Sequence, residues 1–130
     1  MTRLNKTGIR HFKLFQKEAE KWIPILGISN WRISFGHQNW DEEADGEGGA
    51  RAWYSAQPNE KVAELYLSKD WCDDKITDNR IKRSGFHEAF HVRLSSMEEM
   101  LMARGYTEKE VSKVLHETIY TFENYFYGSD

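Results

Sequence analysis

The chain has 130 residues, 39% of them hydrophobic and 30% charged, and its 18 Lys and Arg against 21 Asp and Glu leave a formal net charge of -3. Length and apolar content suit a single domain over residues 1–130, with one core. Both signs are mixed along the chain and the net charge is small, so neither nucleic acid nor a membrane surface is expected as a partner.

Cys72 is the single cysteine, which excludes an intramolecular disulfide. The charged start Met1-Thr2-Arg3-Leu4-Asn5-Lys6 is not followed by a continuous apolar stretch, and no segment has the length of a bilayer span. A soluble, cytoplasmic protein is the expectation.

In chain order, Ile9, Phe12, Phe15, Ala19, Trp22, Ile23 and Leu26 recur at helical spacing up to Gly27, with Pro24 set to distort the last turn or to stop the helix at Trp22. Trp31, Ile33, Phe35 and His37 alternate with Arg32, Ser34 and Gly36, the period of a strand covered on one face. On that face His37 reads as a packed histidine. Asp41, Glu43, Asp45 and Gly46 imitate the first half of a calcium loop, but its twelfth position is Ala52 instead of Glu, which leaves an acidic loop.

Ala50 to Ala56 and Val62 to Leu67 read as two further strands around the turn Gln57-Pro58-Asn59-Glu60, completing a three-stranded, mostly antiparallel sheet. The strand Val62 to Leu67 is a candidate sheet edge on which a peptide could pair. A long helix then starts after Thr77 or Asp78 and runs toward Gly105. Thr107 and Glu110 form a capping-box pattern for a last helix with the stripe Val111, Val114, Leu115, Thr118, Ile119, Phe122, Tyr125 and Phe126. The whole is an α+β arrangement.

The long helix carries His87-Glu88-Ala89-Phe90-His91, an HExxH string. Residues four apart on a helix lie about 40° apart around its axis, so His87 and His91 can share one ion. Two neutral imidazoles and a third protein ligand leave a fourth position for water on Zn2+, whose pKa then falls toward about 7. The adjacent carboxylate, Glu88, can accept the proton as general base and pass it to a leaving amine. Phe86, Phe90 and Met97 form one apolar face of this helix, and Ile81, Gly85 and Val92 another, so the histidines fall in a segment covered on most sides.

The third ligand must come from elsewhere. Leu94 and Met97 stand where the metzincin extension has Gly and His, so that type is excluded. His116, Glu117 and Glu123 on the last helix are the candidates, with His116 and Glu117 on opposite edges of its stripe, and periodicity does not choose among them. Tyr106 and Tyr120 could donate to an oxyanion, but tyrosine in a core or on a rim is far commoner, so neither is taken as a site residue.

The chain resembles the small zinc metallopeptidases encoded by phages and prophages, similar to SprT-like and other minimal zincins. The resemblance runs through Trp22 to Trp31, Ala63 to Trp71, Phe86 to Leu94, and Glu117-Thr118-Ile119-Tyr120-Thr121-Phe122. It implies a minimal zincin-like domain in which an N-terminal helix leads to a short sheet, an HExxH helix and a final helix that supplies a glutamate. It further implies Zn2+ held by His87, His91 and Glu117 in a gluzincin-like site, Glu88 as the catalytic base, and a peptide or protein substrate in a bacterial host cytoplasm. Two other functions compete with this expectation. One is a non-enzymatic, zinc-stabilised protein that binds a host or phage partner, with the metal saturated by a fourth protein ligand. The other is a nucleic-acid-associated peptidase, which the absence of a basic cluster or zinc ribbon disfavours.

Overall fold

A computed structural model describes residues 5–40 and 50–128. Within them the order is β1 (Asn5–Lys6), α1 (Ile9–Ile25), β2 (Arg32–Gln38), β3 (Ala52–Gln57), β4 (Val62–Ser68), β5 (Asp70–Cys72), α2 (Asp78–Ala103) and α3 (Glu108–Tyr127). The class is α+β, with a three-stranded sheet and a separate two-stranded ladder. Asp41, Glu43, Asp45 and Gly46 lie outside the described residues. No helix among the described residues is long and apolar enough to cross a membrane.

Helix α1 buries Phe15, Glu18, Ala19 and Trp22, the three-four spacing of one face. The His11 imidazole Nδ1 accepts from the Gly8 amide at 3.0 Å and so caps the helix start. Pro24 does not end it at Trp22; the helix runs to Ile25, and Gly27 at φ +75° turns the chain out. At the other end of the chain, Tyr127 donates its hydroxyl to Glu18, and the Trp22 indole donates to Tyr127 at 2.7 Å. The tail of α3 is thereby tied to α1.

The sheet has the order β2-β4-β3, with β2 parallel to β4 and β3 antiparallel to it. This corrects the expected mostly antiparallel sheet: one of its two pairs is parallel. It also corrects the expected edge, because β4 is central and β2 and β3 are the edges. The physical reason lies in β4, whose inward residues Ala63, Leu65 and Leu67 are all buried. The tight turn at 58–61 brings this apolar strand back beside β3, and its other side is covered by β2 in register Arg32↔Val62 to Gln38↔Ser68. Alternation of side chains carries no information on strand direction. His37 is packed, as its position in the pattern implies: its ring stacks on Phe12 at 5.1 Å and its Nε2 lies 2.7 Å from the Thr7 hydroxyl, which itself donates to the Ser68 carbonyl.

Helix α2 begins at the N-cap Thr77, whose hydroxyl accepts from the Arg80 amide at 3.1 Å. It packs against α1, β3, β4 and α3. Its closest approach is to α1, where a Cβ placed on Gly85 would sit 2.7 Å from the Phe15 carbonyl oxygen and 3.2 Å from the Ala19 amide nitrogen. Phe86, one residue on, meets Trp22 edge-to-face at 4.8 Å. After Gly105 (φ +97°) the Thr107–Glu110 capping box starts α3, with reciprocal bonds of 2.9 and 3.1 Å. The buried row of α3 is Val111, Leu115, Ile119 and Glu123, while Phe122, Tyr125 and Phe126 are exposed. The predicted stripe is therefore rotated, and a carboxylate occupies its inner face.

Replacing Gly85 by Ala forces backbone apart and is expected to destabilise the fold by about 1–3 kcal/mol, read as a lower Tm in thermal unfolding. Burial alone would raise the Glu18 carboxyl, but hydrogen bonds from Tyr127, Lys21 and Trp22 and the Lys21 charge hold it below its ordinary value. A carboxyl depressed in the folded state stabilises fully above the unfolded pKa, and the contribution is lost as pH falls through the folded value. Wild-type protein should therefore lose more stability between neutral and acid pH than Glu18→Gln, measured by urea denaturation across that range.

Candidate metal centre

His87 and His91 project from successive turns of α2, and α3 brings His116 against them. The ligating atoms of these three histidines all lie within 4.8 Å of one another. His91 Nε2 is 3.1 Å from His87 Nε2 and 3.2 Å from His116 Nε2. Nitrogens bound at about 2.0–2.1 Å to one tetrahedral ion are separated by about 3.3–3.4 Å. The observed spacing fits such a donor set.

The outer nitrogens explain why the inner ones point at each other. His87 Nδ1 is 2.5 Å from Glu123 Oε1, and His116 Nδ1 is 2.8 Å from the Ser112 carbonyl oxygen. Both partners are acceptors, so each Nδ1 carries the proton and each Nε2 presents a lone pair to the centre. His91 is held differently. Its ring stacks on Tyr54 at 4.5 Å and 10°, while Tyr54 donates to Glu98 at 2.9 Å. His91 Nδ1 is buried with no hydrogen-bond partner. At most one inner N–H is then available among three converging nitrogens, and a cation satisfies all of them together.

Electrostatics agrees with neutral imidazole at the inner position. Burial, followed by the charges of His87 and His116, pushes His91 down to about 2. Burial also acts to lower His87, but the Glu123 hydrogen bond and the charges of Glu88 and Glu123 overcome it and leave that ring raised. Burial pushes the Glu88 carboxyl up to about 7, against the opposing charge of His87 and with that of Glu123. Glu123 in turn takes the Arg83 guanidinium at 3.2 Å on its other oxygen, and it is only 5% exposed.

Of the residues singled out in the sequence, His87, Glu88 and His91 are brought together and Glu117 is not. Glu117 is exposed on α3 and lies outside the histidine cluster. At about 100° per residue, Glu117 stands a further 100° round the helix from His116, away from α2, whereas Glu123 at seven residues from His116 returns within about 20° of it. The side chain standing third beside His87 and His91 is therefore His116 and not Glu117, and Glu123 contacts His87 from behind. A sequence signal for this existed: Glu123 continues the Val111, Leu115, Ile119 row by one turn, and a carboxylate on a buried row requires a charged partner. Tyr120 lies beside the centre, 5.8 Å from His87 between ring centroids, while Tyr106 is exposed and does not line it.

Two clefts of about 400 and 310 Å3 share Ala52, His87 and Glu88 as their common wall, so the centre opens on both sides. The edge strand β3 supplies Ala52, Trp53 and Tyr54 to that wall.

Zinc titration of His116→Ala in competition with a chromophoric chelator should show affinity reduced by at least about a hundredfold, with Glu117→Ala unchanged; Glu123→Gln should fall between, at about 10–100-fold. In comparison with known proteins, the chain matches no protein-family model, no curated protein and no solved structure.

Proposed function

We propose that this protein is a zinc-dependent metallopeptidase of minimal zincin type, with the metal held by His87, His91 and His116 and with Glu88 as general base. The observation that carries the reading is the convergence of three imidazole Nε2 atoms beside a buried carboxylate in an open cleft. Three protein ligands correspond to a catalytic site with one position left for water, whereas a structural site takes four. Among the described residues the cluster contains no fourth protein ligand, which favours hydrolysis over a purely structural metal.

Bound there, zinc supplies Lewis acidity, lowering the pKa of water toward about 7 and polarising a carbonyl. The chain's own residues do the rest. Glu88, raised to about 7 by burial, takes a proton from the attacking water at its carboxylate and returns it to the departing amine nitrogen. Glu123 holds the His87 ring in one tautomer, with the Arg83 guanidinium bonded to its other oxygen. Tyr54, stacked on His91, fixes the second ring. A peptide can lie along β3, the sheet edge beside the clefts, by strand addition.

Zinc-loaded Glu88→Gln should keep wild-type metal content and lose about 10²–10⁴-fold in turnover of a quenched-fluorescent peptide mixture. Unchanged turnover, or no zinc-dependent cleavage by wild-type protein, removes the hydrolase reading.

A further inference from the structure

The two clefts beside the histidines differ in charge. One is lined by Arg51, Arg80 and Arg83; the other by Glu98 and Glu108, with no Lys or Arg among its described lining residues. In the first cleft Arg83 is committed, through Glu123, Asn124 and the Gly128 carbonyl. Arg80 gives one nitrogen to the Lys75 carbonyl, and exposed Arg51 lies over the Trp71 ring at 5.7 Å with a long 3.8 Å pairing to exposed Asp74. Three arginines line that cleft against two carboxylates, Glu88 and Glu123, a cationic excess of one; with Arg83 paired to Glu123, Arg51 and Arg80 carry it.

Strand β3 gives this polarity a direction. It starts next to Arg51 in the basic cleft, and its following residues, Trp53 and Tyr54, line the acidic one. A peptide paired antiparallel to β3, the more stable pairing, runs from the acidic cleft to the basic one. Its N-terminal side then meets Glu98 and Glu108, and its C-terminal side meets Arg51 and Arg80. This orientation also matches the ordinary charges of peptide termini, an ammonium at the start and a carboxylate at the end.

We infer that the site selects peptide segments that are positively charged N-terminal to the scissile bond and negatively charged, or ending in a free carboxylate, C-terminal to it. The inference rests on the hydrolase reading and names its substrate class. Exposed charge pairs each contribute little, so selection arises from several acting together and is sensitive to salt.

The test uses two labelled peptides of about eight residues with the same apolar centre and capped ends. One carries two lysines at its N-terminal end and two aspartates at its C-terminal end; the other has them exchanged. Binding to zinc-loaded Glu88→Gln protein is read by fluorescence anisotropy, and cleavage by wild-type protein is followed in parallel. About tenfold tighter binding of the lysine-first peptide at low salt is expected, shrinking as salt rises toward about 0.5 M. The preference should largely vanish on adding Arg51→Gln and Arg80→Gln, and should fall with Glu108→Gln alone, a change at an exposed position. Equal binding, reversed preference, binding of neither peptide, or a preference unchanged in these variants overturns the inference. Ordered binding without cleavage of either peptide supports charge selection and removes the hydrolase reading; cleavage without preference does the opposite.

Discussion

The buried carboxylate of Glu123 sits between Arg83 and His87, and the placement of α3 on α2 follows from it. A carboxylate taken out of water is costly unless its charge is met and its oxygens are hydrogen-bonded. Here one oxygen receives the guanidinium at 3.2 Å and the other the imidazole at 2.5 Å. Sliding α3 by one residue turns Glu123 away from both partners by about 100°. The register that satisfies this carboxylate is also the one that brings His116, two turns earlier, against His91. Structural and chemical requirements are thus met by a single contact.

Helix α2 is held from its opposite side with equal strictness. Gly85 lets the α1 backbone approach to a distance that no side chain would tolerate, and Trp22 and Phe86 fill the space beside it. Because His87 is only two residues further, the position of its Cα is set by packing and not by the histidines themselves. Such support on rigid elements is what a metal site needs to hold its ligands within tenths of an ångström. The ring orientations have two different origins: hydrogen bonds for His87 and His116, and a stacked tyrosine for His91.

The same arrangement places the centre between two clefts of unlike charge and along a sheet edge. Strand β3 is one of the two edges because the more apolar β4 returns into the middle of the sheet. Ala52, Glu88 and the ring of His87 form the wall common to both clefts. Hydrolysis and substrate orientation are consequently two readings of one groove, and each can fail without the other.

The sequence by itself determined the helices, the N-caps of α2 and α3, and half of the candidate site. Thr77, Thr107 with Glu110, and Gly105 act through hydrogen bonds and backbone dihedrals that span only a few residues, and they are found where their spacing predicts. The pairing of His87 and His91 on one face is likewise a local consequence of helix geometry. Only the tertiary structure decided the parallel pairing of β2 with β4, the identity of the edge strand, and the choice of His116 over Glu117 beside the two histidines. Strand alternation is blind to direction, and adjacent residues on one helix differ only in which way they face once a partner helix has docked. That docking is governed by the Arg83–Glu123–His87 contact, which joins positions 40 and 36 residues apart and leaves no trace in local periodicity.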